Sequence, residues 1–108
     1  MRPFALLHAA VLLPLLVPPA HAAGDPNAVR GLVADRCARC HEVPGAEPPR
    51  VEGIAPPSFL QIARNPEVYT EARLREFLRR PHWPMQAFIL SPRDIDDLVA
   101  YFRALGGS

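Results

Sequence analysis

The feature that most constrains this chain is a pair of cysteines placed three residues apart. Cys37 and Cys40 are the only two cysteines among its 108 residues. A disulfide between them would close a very short loop and would therefore stabilise the fold little. A domain of this size buries a limited core and often needs a metal or a cofactor to hold it together. The sequence therefore predicts that a bound cofactor stabilises the fold.

The first 22 residues have the features of a signal peptide. Arg2 is the only charged residue before an apolar run that ends at Val17, and this run is shorter than the roughly 20 residues of a membrane-spanning helix. Ala20-His21-Ala22 has the small-x-small pattern of a cleavage site. We expect cleavage after Ala22, export to the periplasm, no stable membrane insertion afterwards, and a single domain at residues 23–108. An uncleaved N-terminal anchor is the alternative.

The charge pattern gives no support to nucleic-acid binding. The basic residues number 12 and all are arginine; without Arg2 they equal in number the 11 acidic residues. The sequence has no basic tail and no basic stripe with interleaved aromatic residues. We therefore expect no nucleic-acid partner.

The hydrophobic pattern predicts an all-α domain of three or four short helices. The first helix is expected to begin at Asp25 or Asn27 and to run into Cys37. Ser58 and Thr70 are expected to cap two further helices, and Ser91 to cap the last one with Asp94 in an acidic capping box. Residues 42–57 are rich in proline and glycine and predict a long loop. Such a loop is unusual in a compact domain unless it wraps something or has a function.

The motif that points to the cofactor is Cys37-Ala38-Arg39-Cys40-His41. Two cysteines at this spacing can form thioether bonds to the two vinyl groups of one haem, and the following histidine can bind the iron, so C-x-x-C-H predicts one covalent haem c. The alternatives are a redox dithiol, a plain disulfide, and a zinc site completed by His82.

Met85 is the predicted second axial ligand of the iron. It is the only methionine of residues 23–108, and methionine is the usual partner of histidine in electron-transfer cytochromes. It lies in an irregular, proline-rich stretch, residues 81–90. Ligation by His82 and a vacant sixth position are the alternatives.

The chain resembles the class I c-type cytochromes, in particular the small, soluble, monohaem cytochromes c of bacteria. The resemblance covers residues 23–108 and follows the order of an N-terminal helix, C-x-x-C-H at Cys37 to His41, a proline segment at residues 55–59, the Met85 loop and a final helix over residues 98–105. It implies a cytochrome c fold wrapped around one haem.

The resemblance also implies roles for individual residues. A carbonyl oxygen of Pro57 or Pro56 would accept the Nδ1 proton of His41. The residues expected to line the haem pocket are Phe59, Leu60, Leu74, Leu78 and Phe88. The first and last helices would meet through Val29, Leu32 and Val33 on one side and Leu98, Tyr101 and Phe102 on the other.

The haem propionates have several candidate partners in the sequence. They are Trp83 and the arginines Arg50, Arg64, Arg73, Arg75, Arg79 and Arg80. A solvated helix face and a docking patch for an acidic partner are further interpretations of the arginine cluster.

The expected function is that of a monomeric single-electron carrier, not an enzyme, because no general base, nucleophile or substrate pocket is apparent. The iron would cycle between Fe(III) and Fe(II), and the partners would be transient redox donors and acceptors. The alternatives are a cytochrome subunit of an exported dehydrogenase or oxidase complex, and a haem sensor whose sixth site is vacant or bound by His82.

Overall fold

The structure is a computed structural model that describes residues 1, 3, 14, 24–80, 83–85 and 87–107. The predicted signal peptide, residues 1–22, lies almost entirely outside these residues, and so does His82. Within the described ranges there are four α-helices and no strand. The prediction of an all-α fold is therefore confirmed. The helices are α1 (Arg30–Asp35), α2 (Phe59–Arg64), α3 (Glu71–Arg79) and α4 (Pro92–Gly106).

The prediction for the start of α1 is wrong. The helix begins at Arg30, and its N-cap, Val29, makes no side-chain capping hydrogen bond. The carboxylate of Asp25 instead accepts the N–H of Asn27 (2.9 Å), and the carbonyl of Asp25 accepts the N–H of Ala28 (3.2 Å). Asp25 thus forms a turn, because a short acidic side chain can bond its own nearby backbone in competition with a helix.

The helix also ends before the first cysteine. After Asp35 the chain tightens into one turn of 3₁₀-helix, Cys37–Arg39. The carbonyl of Cys37 accepts two backbone N–H groups, from Cys40 (3.2 Å) and from His41 (2.9 Å). Both cysteines and His41 therefore lie in one compact turn.

The caps of the other three helices agree with the sequence prediction. Ser58 Oγ accepts the N–H of Gln61 (3.0 Å) and Thr70 Oγ1 that of Arg73 (3.2 Å). At α4 the exchange is reciprocal, because Ser91 Oγ accepts from Asp94 N (3.1 Å) and the Asp94 carboxylate accepts from Ser91 N (3.0 Å). Such side chains satisfy N–H groups that a helix start leaves without partners.

One buried cluster joins the helices, and α4 contributes most to it. The members of this cluster are Val29, Val33, Val43, Phe59, Ile62, Leu78, Ile95, Leu98 and Phe102, with Leu32 and Tyr101 packed against it. All six residues that were expected to join the first and last helices therefore belong to this core or pack against it.

Two glycines allow the backbone of α4 to contact other backbone segments closely. A Cβ on Gly106 would lie 2.5 Å from the carbonyl oxygen of Ala63, at the end of α2. A Cβ on Gly24 would overlap the carbonyl group of Asp96. Beside it, the N–H of Asp25 donates to the buried carboxylate of Asp97 (2.8 Å). The segment that precedes α1 is thus docked on the first half of α4.

The predicted loop over residues 42–57 is present and is closed at its base. The N–H of Phe59 donates to the carbonyl of Glu42 (2.9 Å), and Val43 is buried in the core. The loop therefore returns to the place where it left the core, directly after the C-x-x-C-H turn. No helix among the described residues is long and apolar enough to cross a membrane.

Candidate haem site

The predicted site residues line one large cavity. Its volume is about 1120 Å³, which is at the upper end for small-molecule sites in proteins. The six predicted residues on its walls are Cys37, Cys40, His41, Pro57, Phe59 and Met85. These residues come from three separate parts of the sequence, so the fold brings them together.

The two cysteines are half-buried and free of each other. Burial raises the pKa of the Cys37 thiol to about 11, and the positive charge of Arg36 opposes this shift. Neither sulfur is engaged in a disulfide, as thioether bonds to a haem require. Within the described ranges, no three His, Cys, Asp or Glu side chains lie close enough to hold a metal ion.

His41 is held in one orientation by a backbone acceptor. Its side chain is buried, and Nδ1 lies 2.7 Å from the carbonyl oxygen of Pro57. Because a carbonyl oxygen can only accept, Nδ1 carries the proton, and Nε2 of the neutral ring keeps a lone pair for a metal. The hydrogen bond that the resemblance implied for Pro57 or Pro56 is thus present at Pro57.

Phe59 connects His41 to the core. Its ring centroid lies 5.2 Å from that of His41, at a tilted angle of 57°. On its other sides it packs against Phe102 (4.9 Å) and Tyr101 (6.1 Å) of α4. The side chain is 3% exposed. Phe59 is therefore both a wall of the cavity and a core residue that limits movement of the imidazole.

Met85 lines the cavity from the segment between α3 and α4. It is half-buried, and its carbonyl accepts the N–H of Phe88 (2.9 Å), which closes a turn there. Its thioether is an uncharged, soft donor of the kind that binds haem iron. The alternative ligand, His82, lies outside the described residues.

Three of the four other expected pocket residues are on the cavity wall, namely Leu74, Leu78 and Phe88. The expectation for Leu60 is wrong. Leu60 lines a separate, smaller cavity of about 200 Å³ beside the 42–48 end of the long loop. Phe59 and Leu60 are consecutive on α2, and neighbouring residues of a helix point about 100° apart, so only Phe59 faces the large cavity.

The structure separates the candidate propionate partners. Arg73, Arg80 and Trp83 line the cavity, whereas Arg50, Arg64, Arg75 and Arg79 do not. Arg36 also lines it, and sequence reasoning missed this residue. Its position next to Cys37 is the signal that could have identified it, since a residue adjacent to the motif cannot be far from the same cavity.

The donor set and the cavity fit haem c. The cavity offers two thiols at the C-x-x-C spacing, an imidazole with a free Nε2 and a thioether, and its walls are largely aliphatic and aromatic. Arginines occur among its lining residues and can face the carboxylates of the propionates.

Comparison with known proteins agrees with this chemistry. The family model described as Cytochrome c matches residues 27–106. A similar protein is cytochrome c-552 of Bradyrhizobium diazoefficiens, which is 38% identical over 69 residues. The matched stretch covers 64% of this chain and 64% of that relative, so the chain spans less than two thirds of its length. No solved structure matches the chain significantly.

The family match covers the first and last helices, the C-x-x-C-H turn and the Met85 segment in a single stretch. It therefore includes every residue of the cavity wall described above. This chain belongs to the cytochrome c family, and its cofactor is covalently bound haem c.

Proposed function

We propose that the chain is a monohaem, single-electron carrier of the periplasm, with haem c attached to Cys37 and Cys40 and with His41 and Met85 as axial ligands of the iron. The main support is the cavity, since residues distant in sequence converge on it with the donor atoms that this coordination needs. Haem c, when bound, supplies an iron that accepts and releases one electron.

The protein's own residues have three tasks in this proposal. Pro57 keeps the proton of His41 on Nδ1, so that Nε2 remains a ligand. The apolar wall, which includes Phe59, Leu74 and Leu78, excludes water from the site. Met85 and His41 would hold the iron in both of its oxidation states, so that electron transfer would need little reorganisation. No residue is asked to act as a general acid, base or nucleophile, and we therefore propose no enzymatic activity.

Localisation rests on the N-terminal sequence. We propose that residues 1–22 are a cleaved signal peptide and that residues 23–108 are the periplasmic domain. The C-x-x-C-H motif is consistent with this location, because covalent haem attachment is expected of exported proteins of this kind.

Electron transfer requires docking of redox partners, and an exposed apolar surface is available for it. Trp83 is 77% exposed and Ile89 is 85% exposed, and in the sequence they precede and follow Met85. Arg73 and Arg80 lie on the wall of the same cavity as Trp83. We propose that donor and acceptor dock transiently on this surface and that the free protein is a monomer.

The same surface favours a second candidate, a cytochrome subunit of an exported dehydrogenase or oxidase complex. A stable interface would leave large apolar side chains exposed on the isolated subunit, and Trp83 and Ile89 are such side chains. Co-purification from the native membrane and periplasmic fractions separates the two candidates, since only a subunit remains with its complex at low concentration.

The test of the coordination is the far-red methionine-to-iron charge-transfer band of the oxidised holoprotein. We expect the parent to show this band and Met85→Ala to lose it. Ile89→Ala is the matched control, because Ile89 belongs to the same segment but not to the cavity wall, and it should keep the band. Absence of the band in the parent would refute Met85 ligation and would leave His82 ligation or an open position.

A further inference from the structure

Four charged side chains join α3 to α4. Arg75 Nε lies 3.0 Å from a carboxylate oxygen of Glu71, and Arg75 Nη1 lies 2.6 Å from one of Asp96. The second carboxylate oxygen of Glu71 pairs with Arg103. We call Glu71, Arg75, Asp96 and Arg103 the α3–α4 clasp.

The clasp differs from the other ion pairs of the described residues. Those pairs, Arg50–Glu47, Arg79–Glu76 and Arg80–Glu76, join residues three or four apart, and every side chain in them is at least 59% exposed. Arg75 is 27% exposed and bridges two carboxylates, one of them on another helix. Exposed pairs contribute little to stability, whereas a network with good geometry contributes more.

The clasp connects the two helices from which the Met85 segment is suspended. Helix α3 ends at Arg79 and α4 begins at Pro92, so residues 80–91 must span from one to the other. Between residues 80 and 90, the described residues form one backbone hydrogen bond with each other, from Phe88 to Met85. The placement of α3 relative to α4 therefore sets the distance that this segment, which contains Met85, has to span.

We infer that Arg75 is a positioning residue for Met85. By holding α3 against α4 it fixes the span of the segment, and it thereby opposes departure of Met85 from the iron. The inference rests on the proposed function, since it requires Met85 as a ligand. Arg75 itself is not on the cavity wall, so its effect on the iron is exerted through the segment and not by direct contact.

The test is a titration of the oxidised holoprotein with imidazole, which competes with Met85 for the iron. Imidazole binding is monitored as the loss of the far-red band. We expect Arg75→Gln to bind imidazole about two- to five-fold more tightly than the parent, as loss of a partly exposed ion-pair network would give. Asp96→Asn should give a change in the same direction, and the double variant should add little to either single one.

Arg79→Gln is the matched control. Arg79 is one helical turn further along α3, and its pair with Glu76 (3.9 Å) stays within that helix. The imidazole affinity of the Arg79→Gln variant should equal that of the parent. Denaturant unfolding of all variants is measured in parallel, because a purely structural role would lower stability in Arg75→Gln and leave imidazole affinity unchanged.

Two outcomes would overturn the inference, and they are distinguishable. If the parent has the band and Arg75→Gln binds imidazole as Arg79→Gln does, Met85 is a ligand but Arg75 does not position it. If the parent lacks the band, Met85 ligation itself is refuted, and the inference is refuted with it.

Discussion

At the scale of single residues, the site depends on hydrogen-bonding and packing that determine chemical state. Pro57 selects the tautomer of His41 through one carbonyl oxygen. Burial raises the pKa of the Cys37 thiol before haem is attached. Phe59 packs between His41 and two aromatic rings of α4. Each of these residues acts on the ligand chemistry through its immediate neighbours.

Tyr101 carries a residue-scale prediction on pH. Burial raises its pKa, and the charge of Arg30 opposes the shift. We expect Tyr101 to ionise at a higher pH in the folded protein than a free tyrosine, which has a pKa of about 10. The measurement is the tyrosinate absorbance of the parent minus that of Tyr101→Phe, with Tyr69→Phe as control.

The sign of the linked stability effect follows. Because the folded-state pKa is raised, the unfolded chain releases the proton first, and stability is lost as pH rises above about 10. Tyr101→Phe should therefore lose less stability than the parent across this alkaline range. Equal pH dependence in the two proteins would contradict the assigned shift.

At the scale of helices, local sequence signals were sufficient where the stabilising contacts are local. The caps at Ser58, Thr70 and Ser91 involve residues only three apart, and all three were predicted. The start of α1 was not, because the Asp25 carboxylate bonds Asn27 N–H in a turn and the backbone N–H of Asp25 bonds Asp97, 72 residues away.

In the site, too, features set by neighbouring residues were predictable and features set by the packing of distant segments were not. The C-x-x-C-H motif predicted the cysteines and His41 directly, since its chemistry is contained in five consecutive residues. Which of the seven candidate propionate partners faces the cavity could not be predicted, because arginines on one short helix point in different directions. The error at Leu60 has the same origin, since its neighbour Phe59 takes the inward position on α2.

The capping box of α4 gives an element-scale prediction. Ser91→Ala removes the acceptor for the Asp94 N–H, and we expect the free energy of unfolding to fall by about 1 kcal/mol. Denaturant unfolding checks the value. Ser91→Thr retains a hydroxyl that accepts from Asp94 N and donates to the Asp94 carboxylate, and it should recover most of the loss. An unchanged stability in Ser91→Ala would show that the box is not formed in solution.

At the scale of the whole molecule, α4 receives contacts from both ends of the domain. Its first half holds Gly24 and Asp25, its side faces α3 through the clasp, and its last residue, Gly106, lies against α2. Helices α2 and α3, which both contribute residues to the cavity wall, pack on this one helix. Helix α4 therefore links the segment before α1, α2 and α3.

Asp97 allows a test of this integration. In Asp97→Ala the N–H of Asp25 loses its acceptor in a part-buried position, and we expect a loss of about 1–3 kcal/mol in the free energy of unfolding. Asp97→Asn keeps an acceptor oxygen and should lose less. Asp35→Ala, at an exposed position in α1, is the control and should change stability little. A similar small change in Asp97→Ala would mean that the docked segment contributes nothing.

The docking of Gly24 and Asp25 on Asp96 and Asp97 has a consequence for the timing of folding. The ribosome synthesises the N-terminal residues of the chain before the C-terminal ones. The surface that receives the beginning does not exist until residue 97 has been made. The contacts of Gly24 and Asp25 with α4 therefore cannot form before most of the chain has been synthesised.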